Sequence, residues 1–128
     1  MKENKYFKES EFKCKCGKCS LPAGSPPDEL VDTLVKVREH FNAAIRINSG
    51  YRCKTHNAKV GGAPKSRHTF GDAVDFVVEN VPTKEVYEFC ESLANADKLG
   101  LAIKHNANKF KGFVHLDTRG FKARWVYK

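Results

Sequence analysis

Ser66-Arg67-His68-Thr69-Phe70-Gly71-Asp72-Ala73-Val74-Asp75 is the stretch on which the reading of this chain turns. It leaves a Gly- and Pro-containing loop and enters Ala73 to Val78, the most β-branched segment and the expected central strand. His68 and Asp75 lie seven positions apart with Gly71 between them. That spacing suits a metal: an imidazole at the loop end, a sharp turn at glycine, a carboxylate arriving on the strand. Two ligands do not make a zinc site. A third candidate is His115, in a segment Phe113 to Thr118 whose period-two alternation puts Phe113, His115 and Asp117 on one face and Val114 and Leu116 on the other. Three protein ligands with an open fourth position is the arrangement of hydrolytic zinc, which lowers the pKa of its water to roughly 7 and polarises carbonyls.

Outward from this stretch the chain alternates helical and strand patterns. Leu30, Val31, Leu34, Val35 and Phe41 recur at helical spacing behind Ser25 as expected N-cap and Pro26 at the first helical position, predicting a helix from about Pro26 to Phe41. Ala44 to Asn48 alternates as a short strand, and residues from there to about Phe70 read as a long loop. Pro82-Thr83 caps a second helix with Val86, Phe89, Cys90 and Leu93 on one face. Leu99 to Lys104 and Phe113 to Thr118 form an expected hairpin across Asn106-Ala-Asn-Lys109. The predicted class is α+β, a small, largely antiparallel sheet with flanking helices. Residues 1–128 read as one domain in which 1–24 form a cysteine-bearing N-terminal arm.

At 128 residues, 41% hydrophobic, the chain can close a core, which sets aside disordered and fibrous classes. Its net charge of +8 favours a polyanion without choosing among nucleic acid, anionic lipid and wall polymer. No apolar run is long enough for a membrane span, and the charged beginning has no apolar segment behind it, so no signal peptide is expected. Cys14, Cys16, Cys19, Cys53 and Cys90 are an odd set, which favours reduced thiols. Cys14-Lys-Cys16-Gly-Lys-Cys19 looks like a metal clip to which Cys53 could add a fourth thiolate. The favoured reading is nevertheless plain thiols or one bridge from Cys14 or Cys16 to Cys53, because this tight spacing fixes neither geometry nor partner. Cys90 is expected in the core and His40 at the surface near a helix end. The C-terminal run from Arg119 to Lys128 mixes cations with aromatics. Stacking on nucleic acid is one reading; the stronger one has Trp125 and Phe121 closing the core while Lys and Arg solvate the rim.

The segments Ser49-Gly-Tyr-Arg-Cys53, His56-Asn57, Val60-Gly-Gly-Ala-Pro64, Ser66-x-His68-x-x-Gly71-x-Ala73-x-Asp75 and Phe113-Val-His-Leu-Asp117 closely resemble the zinc D-alanyl-D-alanine carboxypeptidase family. That family includes phage endolysins that cut L-alanyl-D-glutamate bonds and shares the hedgehog/DD-peptidase fold. The resemblance runs from about Ser49 to Trp125 and makes His68, Asp75 and His115 the zinc ligands. It matches Arg52 to an arginine near the reacting carbonyl or substrate carboxylate, and Ser66 to a serine that helps hold substrate. It leaves His56 to hold its loop by hydrogen bonds. A guanidinium can stabilise an oxyanion or clamp a carboxylate; a turn serine can equally bond its own backbone.

One departure concerns the general base. Many members carry an acid three residues before the last zinc His, where this chain has Gly112. Asp117 stands first as a replacement, or as the acceptor that orients His115; His105 is the other candidate base. The resemblance thus implies a zinc peptidase, a carboxypeptidase or endolysin-type endopeptidase, acting on peptidoglycan stem peptides. It would be a monomer, cytoplasmic until released to the wall, or virion-associated. Zn2+ is the expected cofactor, with manganese, cobalt or iron as possible occupants in vitro. The alternative is a non-catalytic zinc-containing binding or structural module on the same fold. A nucleic-acid binder ranks last, since it leaves the His, Asp, His set without a role.

Overall fold

Val74, Phe76 and Val78 alternate with Ala73, Asp75 and Val77, and this period of two decides which face of the central strand is dry. The computed structural model describes Met1 and residues 4–128. In chain order the elements are α1 (Asp28–Phe41), β1 (Ile45–Ser49), α2 (Lys54–Lys59), β2 (Ala73–Val78), α3 (Thr83–Glu91), β3 (Gly100–Lys104), β4 (Phe113–Asp117) and β5 (Ala123–Tyr127), with short 3-10 turns at Glu9–Phe12, Arg67–Phe70 and Ala96–Lys98. The strands form one sheet in the order β1-β2-β4-β3-β5. All neighbours are antiparallel except β3 and β5, which run parallel. The α+β class with a largely antiparallel sheet is as the sequence predicts.

One face of the sheet is the core. Val74, Phe76 and Val78 of β2, Leu101 of β3 and Val114 and Leu116 of β4 pack with Leu30, Val31, Leu34 and Val37 of α1 and with Val86 and Cys90 of α3. Phe7 and Phe12 of the arm join the same cluster, and Phe12 C=O accepts from Tyr51 N–H at 2.9 Å, so the arm is part of the packed body. The opposite face carries Asp75 and His115. No helix among the described residues is long and apolar enough to cross a membrane.

Four local expectations are corrected. Helix α1 begins at Asp28, not Pro26: Ser25 does not cap it but donates its hydroxyl to Gly71 C=O at 2.6 Å, tying the arm to the turn before β2. The supposed loop after β1 contains α2, whose first turn is satisfied by the Cys53 sulfur accepting from His56 N–H at 3.4 Å, a cap that propensity rules do not weigh. The C-terminal run is a fifth strand rather than a rim. Phe121, 61% exposed, does not close the core, and Trp125 of β5 lies against His115 with ring centroids 5.0 Å apart.

Candidate active site

Strand register brings the first pair together. β2 and β4 are adjacent, and Asp75 stands directly opposite His115, so cross-strand neighbours place an imidazole and a carboxylate on the same face. His68 arrives from the 3-10 turn Arg67–Phe70, which the Ser66 hydroxyl starts by accepting from His68 N–H at 3.3 Å. His68 Nε2 lies 3.1 Å and His115 Nδ1 3.0 Å from Asp75 Oδ1. His68, Asp75 and His115 are 1, 7 and 2% exposed.

The outer nitrogens define what the inner ones can do. His68 Nδ1 meets the Gly50 carbonyl at 2.7 Å, and His115 Nε2 meets Asp117 Oδ2 at 2.7 Å. Neither partner carries a proton, so each ring nitrogen there must be the N–H donor. In a neutral ring the other nitrogen is then a lone pair, and both lone pairs aim at a carboxylate oxygen, itself an acceptor. Three acceptor atoms thus lie within 4.8 Å of one another. That arrangement repels itself unless a cation occupies the middle, and two imidazoles with one carboxylate suit zinc. Protons are the substitute: burial disfavours protonated His115, yet its hydrogen bonds to Asp117 and Asp75 prevail and raise its pKa. Burial likewise opposes ionised Asp75, and the hydrogen bonds from His115 and His68 prevail, holding it well below the usual carboxylate range.

Asp117 is fully buried. Besides His115 it accepts two hydrogen bonds from the Arg119 guanidinium, each at 2.8 Å, and Arg119 N–H at 3.2 Å. Burial opposes its charge, but Arg119 and His115 together hold its carboxyl low. Gly100 stands opposite on β3. A Cβ there would lie 2.4 Å from the Asp117 carboxylate and 2.6 Å from Arg119 Nε, so the pair exists because position 100 has no side chain.

A cavity of about 720 Å³ opens over the site. Its lining includes the cations Lys15, Arg52, Lys65, Arg67 and Arg119, and Asp75 is the one carboxylate among the described residues there. Arg52 donates to Ser49 Oγ at 3.0 Å, Asn57 Oδ1 at 3.0 Å and Asp75 Oδ2 at 3.4 Å, which fixes its guanidinium beside the Asp75 carboxylate with 14% of the side chain exposed. Ser66 lines the same cavity while capping the His68 turn. His56 of α2 also lines it. His105 does not: it is an exposed residue just after β3, outside the cavity lining. Trp125, Tyr127, Arg119 and Lys15 are cavity residues that sequence reasoning missed. The alternation in Ala123-Arg-Trp-Val-Tyr127 was the available signal for the first two.

Gly112 explains the absent upstream acid. Its φ is +88°, and a Cβ would sit 2.1 Å from the Lys104 carbonyl oxygen, so this backbone has no room for any side chain. Gly112→Glu is therefore expected to lower the thermal midpoint, by a cost of about 1–3 kcal/mol for a strained backbone, and not to raise hydrolysis; a thermal melt beside a turnover assay checks both.

The sequence pattern of the Peptidase M15 family matches residues 5–117. The chain belongs to that family. The match covers the arm as well as the site strands, and M15 peptidases are zinc-dependent, in keeping with the acceptor cluster of His68, Asp75 and His115. No curated protein matches the chain.

Proposed function

We propose that this M15 peptidase hydrolyses peptide bonds in peptidoglycan stem peptides. The observation that carries the reading is the convergence of two imidazole nitrogens and a carboxylate oxygen on the floor of a cation-lined cavity. His68, Asp75 and His115 would hold zinc, which when bound supplies a Lewis acid for activating water and polarising an amide carbonyl. Stem peptides carry free carboxylates, and Arg52, Lys15 and Lys65 offer charge-assisted hydrogen bonds to such a group where little competes with them. Arg52 is held by three partners before any substrate arrives, so it can meet a carboxylate or a developing oxyanion with little rearrangement. Ser66 would add a hydroxyl on the same wall. Asp117 acts through His115 as a positioning residue: with every lone-pair direction committed to Arg119 and His115, it fixes the tautomer that leaves Nδ1 free. Family membership and the preformed acceptor set favour an enzyme over a non-catalytic module.

The test is incubation of the zinc-loaded protein with purified peptidoglycan, followed by mass spectrometry of what is released. Free D-alanine identifies a carboxypeptidase, and new amino termini within stem peptides identify an endopeptidase. Tight binding to the wall with neither product would overturn the reading in favour of a binding module.

A further inference from the structure

Four of the five cysteines meet beside the cavity. Cys14, Cys16 and Cys19 belong to the arm and Cys53 is the residue before α2, yet their sulfurs all lie within 4.8 Å of one another. Three of the separations are 3.4 Å between Cys16 and Cys19, 3.8 Å between Cys14 and Cys53, and 4.0 Å between Cys53 and Cys16. All four are free thiols, and none of these distances approaches the roughly 2.05 Å of a disulfide. A tetrahedral ion with metal–sulfur bonds of about 2.3 Å sets its sulfurs about 3.8 Å apart, and the observed separations bracket that value.

The surroundings favour thiolates. Backbone N–H groups of Lys18, Cys53 and His56 point at the sulfurs of Cys16, Cys14 and Cys53 at 3.3, 3.4 and 3.4 Å, donors that a charged sulfur accepts far better than a thiol. Gly17, with φ +70°, gives the tight turn that lets Cys16 and Cys19 face one another. Four thiolates around a divalent ion leave a charge of −2, and exposed lysines at 13, 15, 18 and 54 adjoin the ligands in sequence. Four sulfurs in this geometry select zinc over harder divalent ions.

We infer that Cys14, Cys16, Cys19 and Cys53 form a second, four-thiolate zinc site that fastens the arm to the cavity wall. Binding releases the thiol protons to solvent, and the ion remains divalent throughout. Its position gives it a consequence for the first site. Cys53 follows Arg52 directly, Lys15 lies between two of the ligands, and both Arg52 and Lys15 line the cavity. The inference does not depend on the substrate or on hydrolysis.

The test uses the full chain purified under reducing conditions, as wild type, His68→Ala and the double variant Cys14→Ser/Cys16→Ser. Zinc content is expected at two per chain in the wild type and one in each variant. Cobalt-loaded wild type and His68→Ala should show intense thiolate-to-metal charge transfer in the near ultraviolet, absent from the cysteine variant. Thiol titration of the folded protein should find four reactive cysteines only after a strong chelator is added, since Cys90 is buried in the core. Absence of the charge-transfer band from both wild type and His68→Ala, or thiols equally reactive with and without zinc, overturns the assignment. Should the double variant fail to fold, the cobalt spectra and the thiol titration decide on the other two proteins alone.

Discussion

Asp75→Ala is expected to empty the His-Asp-His site and bring hydrolysis to background. Asp75 is the one carboxylate among the described residues of the cavity lining and stands within 3.1 Å of both inner imidazole nitrogens. Losing an outer partner of a metal site typically costs roughly 10–100-fold in affinity, so loss of the charged ligand itself should exceed about 100-fold. Removing it also takes from Arg52 the ion pair at 3.4 Å that helps aim the guanidinium, so residual binding of a carboxylate-bearing peptide should weaken as well. The fold should survive, because Asp75 lies on the face of β2 away from the core and forgoes a buried charge when replaced. Zinc per chain, measured by elemental analysis after dialysis, should drop by one whole equivalent while circular dichroism stays that of the wild type. Full zinc content with unimpaired hydrolysis in this variant would remove Asp75 from the site.

Asp117→Asn carries the second large effect, through atoms that never touch the metal. The carboxylate accepts from His115 Nε2 at 2.7 Å and so forces that nitrogen to hold the proton. An asparagine can turn its NH2 toward the ring instead, which moves the ring proton to Nδ1, the nitrogen that faces Asp75 and the metal locus. Zinc affinity should fall about 10–100-fold. The same change takes the counter-charge from Arg119, a pair in which Asp117 is wholly buried and Arg119 only 17% exposed; breaking a buried pair from one side costs about 3 kcal/mol or more. A purely structural role would lower the melting temperature and leave the zinc dissociation constant, measured far below the melt, unchanged. An orienting role moves both. Unchanged zinc affinity in a folded Asp117→Asn protein would therefore sink the positioning role.

Much of this was legible along the chain because the signals are local and periodic. The alternation Val114, His115, Leu116, Asp117 assigns two residues to the dry face and two to the other, whatever the strand pairs with. The apolar spacing in α1 and the β-branched run of β2 are read the same way. The string from Ser66 to Asp75 holds two acceptors and the turn between them within ten residues. α2 was not legible, since six residues capped by a sulfur give no periodicity to detect. β5 was passed over because its alternation is interrupted by cations that look like a solvated rim, when Arg124 in fact donates to the carbonyls of Ala96 and Leu99.

The sequence by itself determined the α+β class, the family, and the residue types able to hold zinc, because each depends on composition or on spacing within one segment. Only the tertiary structure decided which atoms meet. Register between β2 and β4 set Asp75 against His115, and packing of Arg119 over Gly100 closed Asp117 into an orienting role. The fold of the arm brought Cys53 to three cysteines more than thirty residues away. Contacts of that kind are fixed by strand pairing and loop closure across the chain, and neither is written in any single stretch of it.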